Sequence, residues 1–345
     1  MNPILVEALR GGAVESAHRG AFAVVDTLGK LRAALGDIDR PVFPRSAVKV
    51  LQALPLVASG AAEALGLDDA ELALACASHN GEDAHVATAA GMLAKAGLDA
   101  EALECGAHWP YREAFQRQMA AHGQAPSALH NNCSGKHAGF VCLGCLMARH
   151  AGRDPRDFVR GYVQPEHPVM REIGAAIART TGADLAQAPA GTDGCSIPTY
   201  ALPLRALALG FARIATGQGL SADDAHAARR LRAAVAAAPF MVAGTDRFDT
   251  RVMAHFGEQV FCKVGAEGVY CAALPQQGLG VALKIDDGNN ARAAEVVMAA
   301  LLEALLQPDA AGTALLRTTS DAVLRNWNGI AVGALRASDT LRTAL

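Results

Sequence analysis

The sequence predicts a mixed α/β protein of the α+β type, with strands from both ends of the chain in one mainly antiparallel sheet. Three observations lead to this prediction. Short apolar runs separated by Gly or Pro occur near both ends, and apolar residues recur at helical spacing through the middle. No linker rich in Pro, Ser or Gly and no internal repeat interrupts the chain. We therefore expect a single domain over residues 1-345.

The predicted sheet is built from two groups of strands, in residues 4-36 and 258-286. Strand-like runs in these groups lie at 5–10, 20–26, 31–35, 259–264, 268–274 and 280–285. Glycine or proline separates neighbouring runs, as at Gly11-Gly12 and Leu28-Gly29, which is typical of antiparallel strands joined by turns. Since such strands pair easily with their neighbours, both groups are expected to join one sheet.

The helical region is predicted over about 44-238, and a C-terminal helix over about 290-307. Apolar residues recur at helical spacing at 46–65, 70–76, 84–96, 111–122, 137–150, 168–181, 204–216 and 222–237. A sheet with one apolar face needs a covering layer, so these helices are expected to pack against it.

Composition excludes two classes of partner. The chain has 345 residues, 51% of them hydrophobic, and a net charge of -3, without a basic patch that contains aromatic residues, so nucleic acid is not expected to bind. No segment is apolar and long enough to cross a membrane. The start of the chain lacks the basic, apolar and small-residue regions of a signal peptide, which predicts a cytoplasmic protein with a small-molecule substrate.

Lysine is scarce in this chain, with six residues against twenty-five arginines. Arginine keeps its proton at any working pH, whereas a buried lysine can become a neutral base. Three of the six lysines lie in short motifs that contain serine or cysteine, namely Lys49, Lys136 and Lys263. Their positions indicate where to look for chemistry.

The first motif is Ser46-Ala47-Val48-Lys49, after Pro44 and at the start of a predicted helix. Three-residue spacing on a helix places the hydroxyl and the amine on one face, where a neutral lysine can deprotonate the serine. The alternative is a serine that caps the helix and a lysine on the surface.

Two further motifs favour the chemical interpretation. They are Ser78-His79-Asn80, an S-x-N, and Lys263-Val264-Gly265, a K-x-G at the end of a predicted strand. The order S-x-x-K, S-x-N, K-x-G is that of the serine β-lactamases and penicillin-binding proteins. Val264 carries no hydroxyl, which argues against a β-lactam or peptidoglycan substrate.

Two polar segments each carry a thiol. The segment 130–137, HNNCSGKH, is not a phosphate loop, because His130 replaces its first glycine and His137 replaces the Ser or Thr that binds magnesium. The segment 190–198 carries Cys195. Cys133 and Cys195 could share a zinc ion, or both segments could be polar loops that shape a pocket without metal.

The chain resembles the Rhizobium etli-type L-asparaginases, also called the asparaginase II family, which are related in fold to serine β-lactamases and glutaminases. The resemblance covers the chain from Leu5 to about Leu306. It rests on five strings: PRSAVK at 44–49, ASHNGEDAHV at 77–86, HNNCSGKHAGF at 130–140, GTDGCSIPTY at 191–200 and KVGAEG at 263–268.

The resemblance implies hydrolysis of L-asparagine to L-aspartate and ammonia, on a fold like that of the serine β-lactamases and glutaminases. It implies that Ser46 with Lys49 and Ser78 with Lys263 form two pairs that meet at one catalytic site. It also implies a zinc ion held by Cys133, Lys136 and Cys195, and a homodimer. The zinc is expected to organise substrate binding rather than to activate the nucleophile.

Serine acyl-transfer chemistry favours Ser46 as the nucleophile, with Ser78 as the rival. A buried amino-acid substrate needs partners for both of its charges, and Arg45 and Asp193 are the candidates for its carboxylate and ammonium groups. Asn80 is also assigned to substrate binding, and His137 either orients a ligand or is a buried histidine with its own partners. Two other functions stay open: hydrolysis of another amide, such as glutamine, a dipeptide or a lactam, and a zinc or amino-acid sensor without turnover.

Overall fold

Strands lie mainly at the two ends of the chain in the computed structural model, which describes residues 1–345. Only one short hairpin, β4 with β5, falls in the middle. The strands are β1 (Ile4–Arg10), β2 (Ala13–Asp26), β3 (Leu31–Leu35), β4 (Ala190–Thr192), β5 (Pro198–Tyr200), β6 (Phe261–Val264), β7 (Val269–Leu274), β8 (Leu279–Ile285), β9 (Asp321–Arg325) and β10 (Ala331–Ala337).

Helices fill the middle of the chain and return after β8. They are α1 (Lys49–Ala58), α2 (Ala61–Ala64), α3 (Asp69–Ala75), α4 (Asp83–Lys95), α5 (Glu113–Ala121), α6 (Ser134–His150), α7 (Pro155–Val159), α8 (Pro168–Thr181), α9 (Leu204–Thr216), α10 (Ala222–Ala237), α11 (Pro239–Ala243), α12 (Phe248–Phe256), α13 (Glu295–Leu306), α14 (Ala310–Ser320) and α15 (Asp339–Thr343). None of them is both long and apolar enough to span a bilayer.

Contacts divide the chain into two units, and the single domain expected over 1-345 stays a prediction. The first unit contains Met1–Ala47, Ala201–Thr216 and Cys262–Leu345, and the second contains Val48–Tyr200 and Gly217–Phe261. The first unit holds the large sheet, and the second holds most of the helices.

The first unit contains an antiparallel sheet in the order β6-β7-β8-β2-β1-β10-β9, with β3 also paired to β2. N-terminal and C-terminal strands therefore share one sheet, which confirms the predicted mixed α/β fold with a mainly antiparallel sheet. The strands β9 and β10 extend this sheet although the sequence did not predict them. Helices α13 and α14 pack against each other and against β10.

Helix α9 covers the other part of the sheet, against β2, β7 and β8. All six residues of β7 are buried, as expected for a strand in the interior of a covered sheet. A side chain at Gly280 would lie 1.9 Å from the backbone oxygen of Ala208, so only glycine lets the backbones of β8 and α9 approach this closely.

The second unit is organised around α6, whose residues from Ser134 to Cys145 are all buried. Helices α1, α3, α4 and α7 pack against it. The helix predicted over 46–65 is interrupted: a 3-10 turn at Arg45–Val48 precedes α1, and Gly60, with φ of 81°, separates α1 from α2. Glycine favours this left-handed conformation, which an unbroken helix does not contain.

Candidate active site

Lys49, the first residue of α1, is buried and hydrogen-bonded on several sides. Its Nζ atom lies 2.9 Å from Ser78 Oγ and 3.1 Å from Cys133 Sγ. It also donates to the backbone oxygen of Ala77 and, at 3.4 Å, to that of Asn132. The structure thus places this lysine against the serine of the S-x-N motif, a contact that the sequence analysis did not predict.

The environment of Lys49 favours the neutral amine more than water does. Burial lowers the pKa of Lys49 below its ordinary value, and the nearby Lys136 charge acts in the same direction, while Cys133 acts against both. A neutral amine has a lone pair that needs a hydrogen donor. The Ser78 hydroxyl can supply that hydrogen, whereas the backbone oxygens of Ala77 and Asn132 cannot.

Ser46 lies in the 3-10 turn before α1 and is partly exposed. Arg45, just before it, has φ of 51°, a left-handed conformation that is unfavourable for a residue with a side chain and is common near functional sites. In the same unit, a side chain at Gly265 would lie 2.5 Å from the backbone oxygen of Pro44. The end of the K-x-G motif therefore packs directly against the turn that carries Ser46.

Lys263 belongs to β6 and is fully buried, and its Nζ atom donates to the backbone oxygen of Val264 at 2.8 Å. The backbone of the K-x-G motif and the Ser46 turn are thus neighbours within the first unit. The pairing of Ser46 with Lys49, and of Ser78 with Lys263, stays a prediction.

The two thiol segments come together at the start of α6. The side chains of Cys133 and Cys195 are hydrogen-bonded to each other, and Lys136 Nζ lies 3.0 Å from Cys195 Sγ. The hairpin between β4 and β5 holds Cys195 in its turn, where Asp193 Oδ2 lies 3.7 Å from the sulfur. Asp193 also accepts a hydrogen bond from the Gly194 N–H at 2.8 Å.

Charges in this cluster prepare one thiol for ionisation. The hydrogen bond with Cys195, assisted by the charges of Lys49 and Lys136, lowers the pKa of Cys133 well below its ordinary value although burial opposes this. The same hydrogen bond and burial raise the pKa of Cys195. Burial opposes the charge on Lys136, but the two sulfurs outweigh it and raise the pKa of Lys136. These environments favour a thiolate at Cys133 and an ammonium group at Lys136.

His137, also in α6, is buried with one ring nitrogen engaged. Its Nδ1 lies 2.5 Å from the Tyr162 hydroxyl, while its Nε2 is buried without a hydrogen-bond partner. Burial, followed by the charges of Lys136 and Lys49, lowers the pKa of His137 well below its ordinary value, so the ring is neutral. The Tyr162 hydroxyl thus accounts for one nitrogen of this ring, and the other has no hydrogen-bond partner within the protein.

The backbone that carries Ser78 is fixed by the segment after α11. Ser78 N–H donates to the Val242 oxygen and Asn80 N–H donates to the Ala243 oxygen, each at 2.9 Å. These two bonds leave the intervening His79 between them, and its Nε2 lies 3.0 Å from Ser134 Oγ. The S-x-N motif is thus held as a rigid extended segment beside α6.

Asn80 and Glu82 complete this attachment. The Asn80 amide donates to Glu82 Oε1 at 3.0 Å and to the Thr245 oxygen at 3.1 Å, and its oxygen accepts from Arg247. Both amide hydrogens are therefore used inside the protein, and a direct contact of Asn80 with substrate stays a prediction. Glu82 Oε2 accepts from the Thr245 hydroxyl at 2.7 Å, and Glu82 Oε1 accepts from the Thr245 N–H at 2.8 Å.

Sequence reasoning missed Thr245 and Arg247. Glu82 stands at the N-terminal cap position of α4, and its carboxylate binds Thr245 and Asn80. These contacts join positions 163 residues apart in the chain. Only the polar string SHNGED gave a signal, and it could not identify the distant partner.

We predict that Glu82→Ala lowers the free energy of unfolding by about 3 kcal/mol, because it leaves three hydrogen-bond donors without their carboxylate acceptor. It should also lower kcat, since Ser78 loses part of its support. Glu82→Gln keeps an amide oxygen as acceptor and should retain most of both properties. Urea unfolding and turnover rates test this, with the exposed Glu63→Ala as control. An Ala variant as stable as wild type would contradict the prediction.

A metal at this cluster needs Lys136, because no group of three or more His, Cys, Asp or Glu side chains is placed to hold one. The donor set does suit zinc: two sulfurs within hydrogen-bonding reach of each other, one of them favoured as thiolate, and an amine at 3.0 Å. Lys136 would have to lose its proton to bind, which the positive charge of the metal would favour.

Comparison with known proteins gives one family match and several distant structural similarities. The family model of L-asparaginase II matches residues 6–337. No curated protein matches the sequence. Among solved structures, a β-lactamase from Mycobacterium bovis is 14% identical, over 83% of this chain and 94% of its own, with a TM-score of 0.40.

Two further solved structures have a similarly low sequence identity and TM-score. Native Mglu is 19% identical, over 84% of this chain and 65% of its own, with a TM-score of 0.38. Simvastatin synthase from Aspergillus terreus is 13% identical, over 77% of this chain and 86% of its own, also with a TM-score of 0.38. The family match therefore carries the functional assignment.

Proposed function

Because the chain belongs to the L-asparaginase II family, we propose that this amide hydrolase converts L-asparagine to L-aspartate and ammonia through a serine acyl-enzyme. One observation carries the mechanism, namely the buried Lys49 amine 2.9 Å from the Ser78 hydroxyl. A lysine in this setting can accept a proton and pass it to a hydroxyl without leaving the interior.

In the first step, Ser46 Oγ attacks the side-chain carbonyl carbon of asparagine and its proton passes to Lys49, three residues later in the chain. The C–N bond of the resulting tetrahedral intermediate then breaks. The leaving nitrogen takes a proton from Ser78, which recovers it from Lys49 across their hydrogen bond. The products of this step are ammonia and an ester of aspartate on Ser46.

In the second step, water attacks the ester carbonyl and gives its proton to Lys49. The ester bond breaks, Ser46 recovers its proton, and aspartate leaves. Over both steps asparagine plus water gives aspartate plus ammonium, because the ammonia released takes up the proton of the new carboxyl group. Lys263 is buried two residues before Gly265, which packs against the Ser46 turn, and we propose that it shares with Ser78 the proton relay to the leaving nitrogen.

The two charged ends of the substrate need opposite charges on the protein. We assign the α-carboxylate to Arg45, which directly precedes Ser46 and has a left-handed backbone conformation. We assign the α-ammonium to Asp193, which lies in the hairpin turn with Cys195. The free Nε2 of His137 is proposed to contact the substrate.

Zinc is the proposed cofactor, with Cys133, Lys136 and Cys195 as its ligands. A bound zinc ion would supply a fixed positive charge that orders the hairpin turn and favours a bound carboxylate. Each of the three residues contacts another member of the set, which supports a shared ligand. A cytoplasmic location is also part of the proposal, because all eight cysteines are free thiols, as expected in a reducing compartment.

We predict that Cys195→Ser and chelation both remove zinc and lower the free energy of unfolding. A ligand at a hundred times its dissociation constant stabilises the folded state by about 2.7 kcal/mol, and this contribution disappears with the metal. Elemental analysis and urea unfolding measure the two effects. Cys142→Ser, which removes a buried thiol of α6 outside the proposed ligand set, should keep its zinc. Full zinc content in Cys195→Ser would contradict the assignment.

The substrate is tested by ammonia release from L-asparagine and L-glutamine, by cleavage of β-aspartyl dipeptides and by opening of a β-lactam, with the same wild-type preparation. We expect kcat/KM to be highest for asparagine. The discrimination against glutamine should be about 10–200-fold, since one methylene in a pocket is worth about 1–3 kcal/mol. A preference for another amide would leave the assignment as an amide hydrolase unchanged, but it would contradict asparagine as the substrate.

A further inference from the structure

A cavity of about 490 Å³ lies within the second unit, lined by residues of α1, α6 and α8 and by the start of α10. None of the residues assigned to catalysis, substrate or zinc lines it. Small-molecule sites in proteins commonly have volumes of about 300–1,000 Å³. This cavity is therefore large enough for a small organic ligand.

One side of the cavity is apolar. Its members are Pro55, Ala58, Leu143, Leu146, Met147 and Leu220. Pro55 and Leu143 are buried, whereas Leu146, Met147 and Leu220 are only half-buried. A ligand with an apolar body would remove the remaining surface of these side chains from water, which is favourable.

The other side of the cavity is negatively charged. Glu172, Asp223 and Asp224 face a single guanidinium group, that of Arg179. Arg179 Nε and Nη2 lie 2.6 and 3.0 Å from the two oxygens of Asp224, and its Nη1 lies 3.1 Å from Glu172 Oε1. Asp223 and the second oxygen of Glu172 stay outside these bonds.

The remaining polar lining does not reverse this charge. It consists of Ser59, His150 and Ser221. With His150 neutral or protonated, three carboxylates outweigh the positive groups. The cavity therefore lacks a cation rather than an anion.

Helix ends act in the same direction. Helix α1 ends at Ala58 and α6 ends at His150, and both residues line the cavity. The C-terminal end of a helix carries a partial negative charge. Helix α10 begins here with the opposite sign, but Ser221 caps it by accepting the Asp224 N–H at 3.1 Å, and its first turn is acidic.

We propose that this cavity binds a small organic cation, namely a primary amine with an apolar body. Its ammonium group lies against Glu172 and Asp223, and its body covers the apolar side. The cavity and Lys49 are at opposite ends of α1, about 14 Å apart along a helix of ten residues. The site is thus separate from the candidate active site, and the inference does not depend on the proposed reaction.

Three probes with the same phenyl group test the chemistry of the ligand. Isothermal titration calorimetry at low salt compares phenethylamine, phenethyl alcohol and 3-phenylpropionate. We expect saturable binding of the amine, at least about tenfold tighter than that of the alcohol, and none of the acid. Added salt should weaken the binding of the amine. No saturable binding of the amine, or equal binding of all three probes, would overturn the proposal.

Two variants test the location. Glu172→Gln combined with Asp223→Asn should weaken amine binding about tenfold and leave the binding of the alcohol unchanged. Ala58→Phe fills the cavity and should abolish amine binding without changing a charge. Glu113→Gln, which neutralises an exposed carboxylate outside the cavity, is the control and should bind like wild type. Thermal unfolding confirms that each variant is folded, and unchanged binding in either folded cavity variant would exclude this cavity as the site.

Discussion

Replacement of Lys49 by Met is expected to lower kcat/KM for asparagine by about 10³-fold or more. Methionine nearly matches the length of lysine but cannot take a proton from Ser46 or exchange one with Ser78, 2.9 Å away. General acid–base catalysis contributes about 10²–10⁴-fold, and Lys49 serves both steps of the proposed reaction. Steady-state ammonia release measures the loss.

Lys49→Arg should not restore the rate, because a guanidinium group stays protonated at any working pH. The exposed Lys30→Met should keep wild-type activity. Circular dichroism and urea unfolding identify variants that lose activity because they fail to fold. A folded Lys49→Met variant within about tenfold of wild type would exclude Lys49 as the base.

Replacement of Ser78 by Ala has the second large effect, and its size depends on the leaving group. If Ser78 protonates the departing ammonia, its loss should lower kcat for asparagine by about 10²–10³-fold. The β-hydroxamate of aspartate releases hydroxylamine, a weaker base that needs less protonation. The defect of Ser78→Ala should therefore be much smaller with this substrate.

Ser46→Ala is the comparison variant, since loss of the nucleophile slows the hydrolysis of both substrates to the same extent. If Ser78→Ala lowers kcat equally for asparagine and for the hydroxamate, Ser78 does not take part in the proton relay. A larger loss in Ser78→Ala than in Ser46→Ala on both substrates would favour the rival assignment, with Ser78 as the nucleophile.

The sequence shows which residues carry the chemical groups of the candidate site, but it does not show the contacts between them. Ser46, Lys49, Ser78, Cys133 and Lys136 lie in short motifs, where each needed chemical group is visible along the chain. The contact between Lys49 and Ser78 joins residues 29 positions apart and depends on how α1 packs. A pattern with helical or strand period reports local structure and carries no information on such a contact.

The residues that hold the candidate site in place were even harder to predict from the sequence. Thr245 and Arg247 hold the S-x-N segment from the far end of the second unit, and neither belongs to a recognisable motif. Tyr162 binds His137 through its hydroxyl, yet a tyrosine between helices is ordinarily read as a core residue. These partners became visible only once the chain was folded.

The fold shows the same division between local and distant information. The strands in 4-36 and 258-286 are apolar runs separated by clear turns, and their union in one sheet followed from simple pairing rules. The last strands, β9 and β10, lack a run of buried apolar residues, since most of their residues are partly or largely exposed. The place of β10 beside β1 depends on pairing between residues such as Val6 and Ala337, at opposite ends of the chain.

The decisive measurement for the serine acyl-enzyme mechanism is ammonia release from L-asparagine by wild type and by Ser46→Ala, with zinc content determined on both preparations. We expect turnover by the zinc-containing wild type and its loss in a Ser46→Ala variant that is folded and retains its zinc. Asparagine hydrolysis that survives in Ser46→Ala, or its absence from zinc-loaded wild type, would contradict the serine acyl-enzyme mechanism or the substrate, respectively.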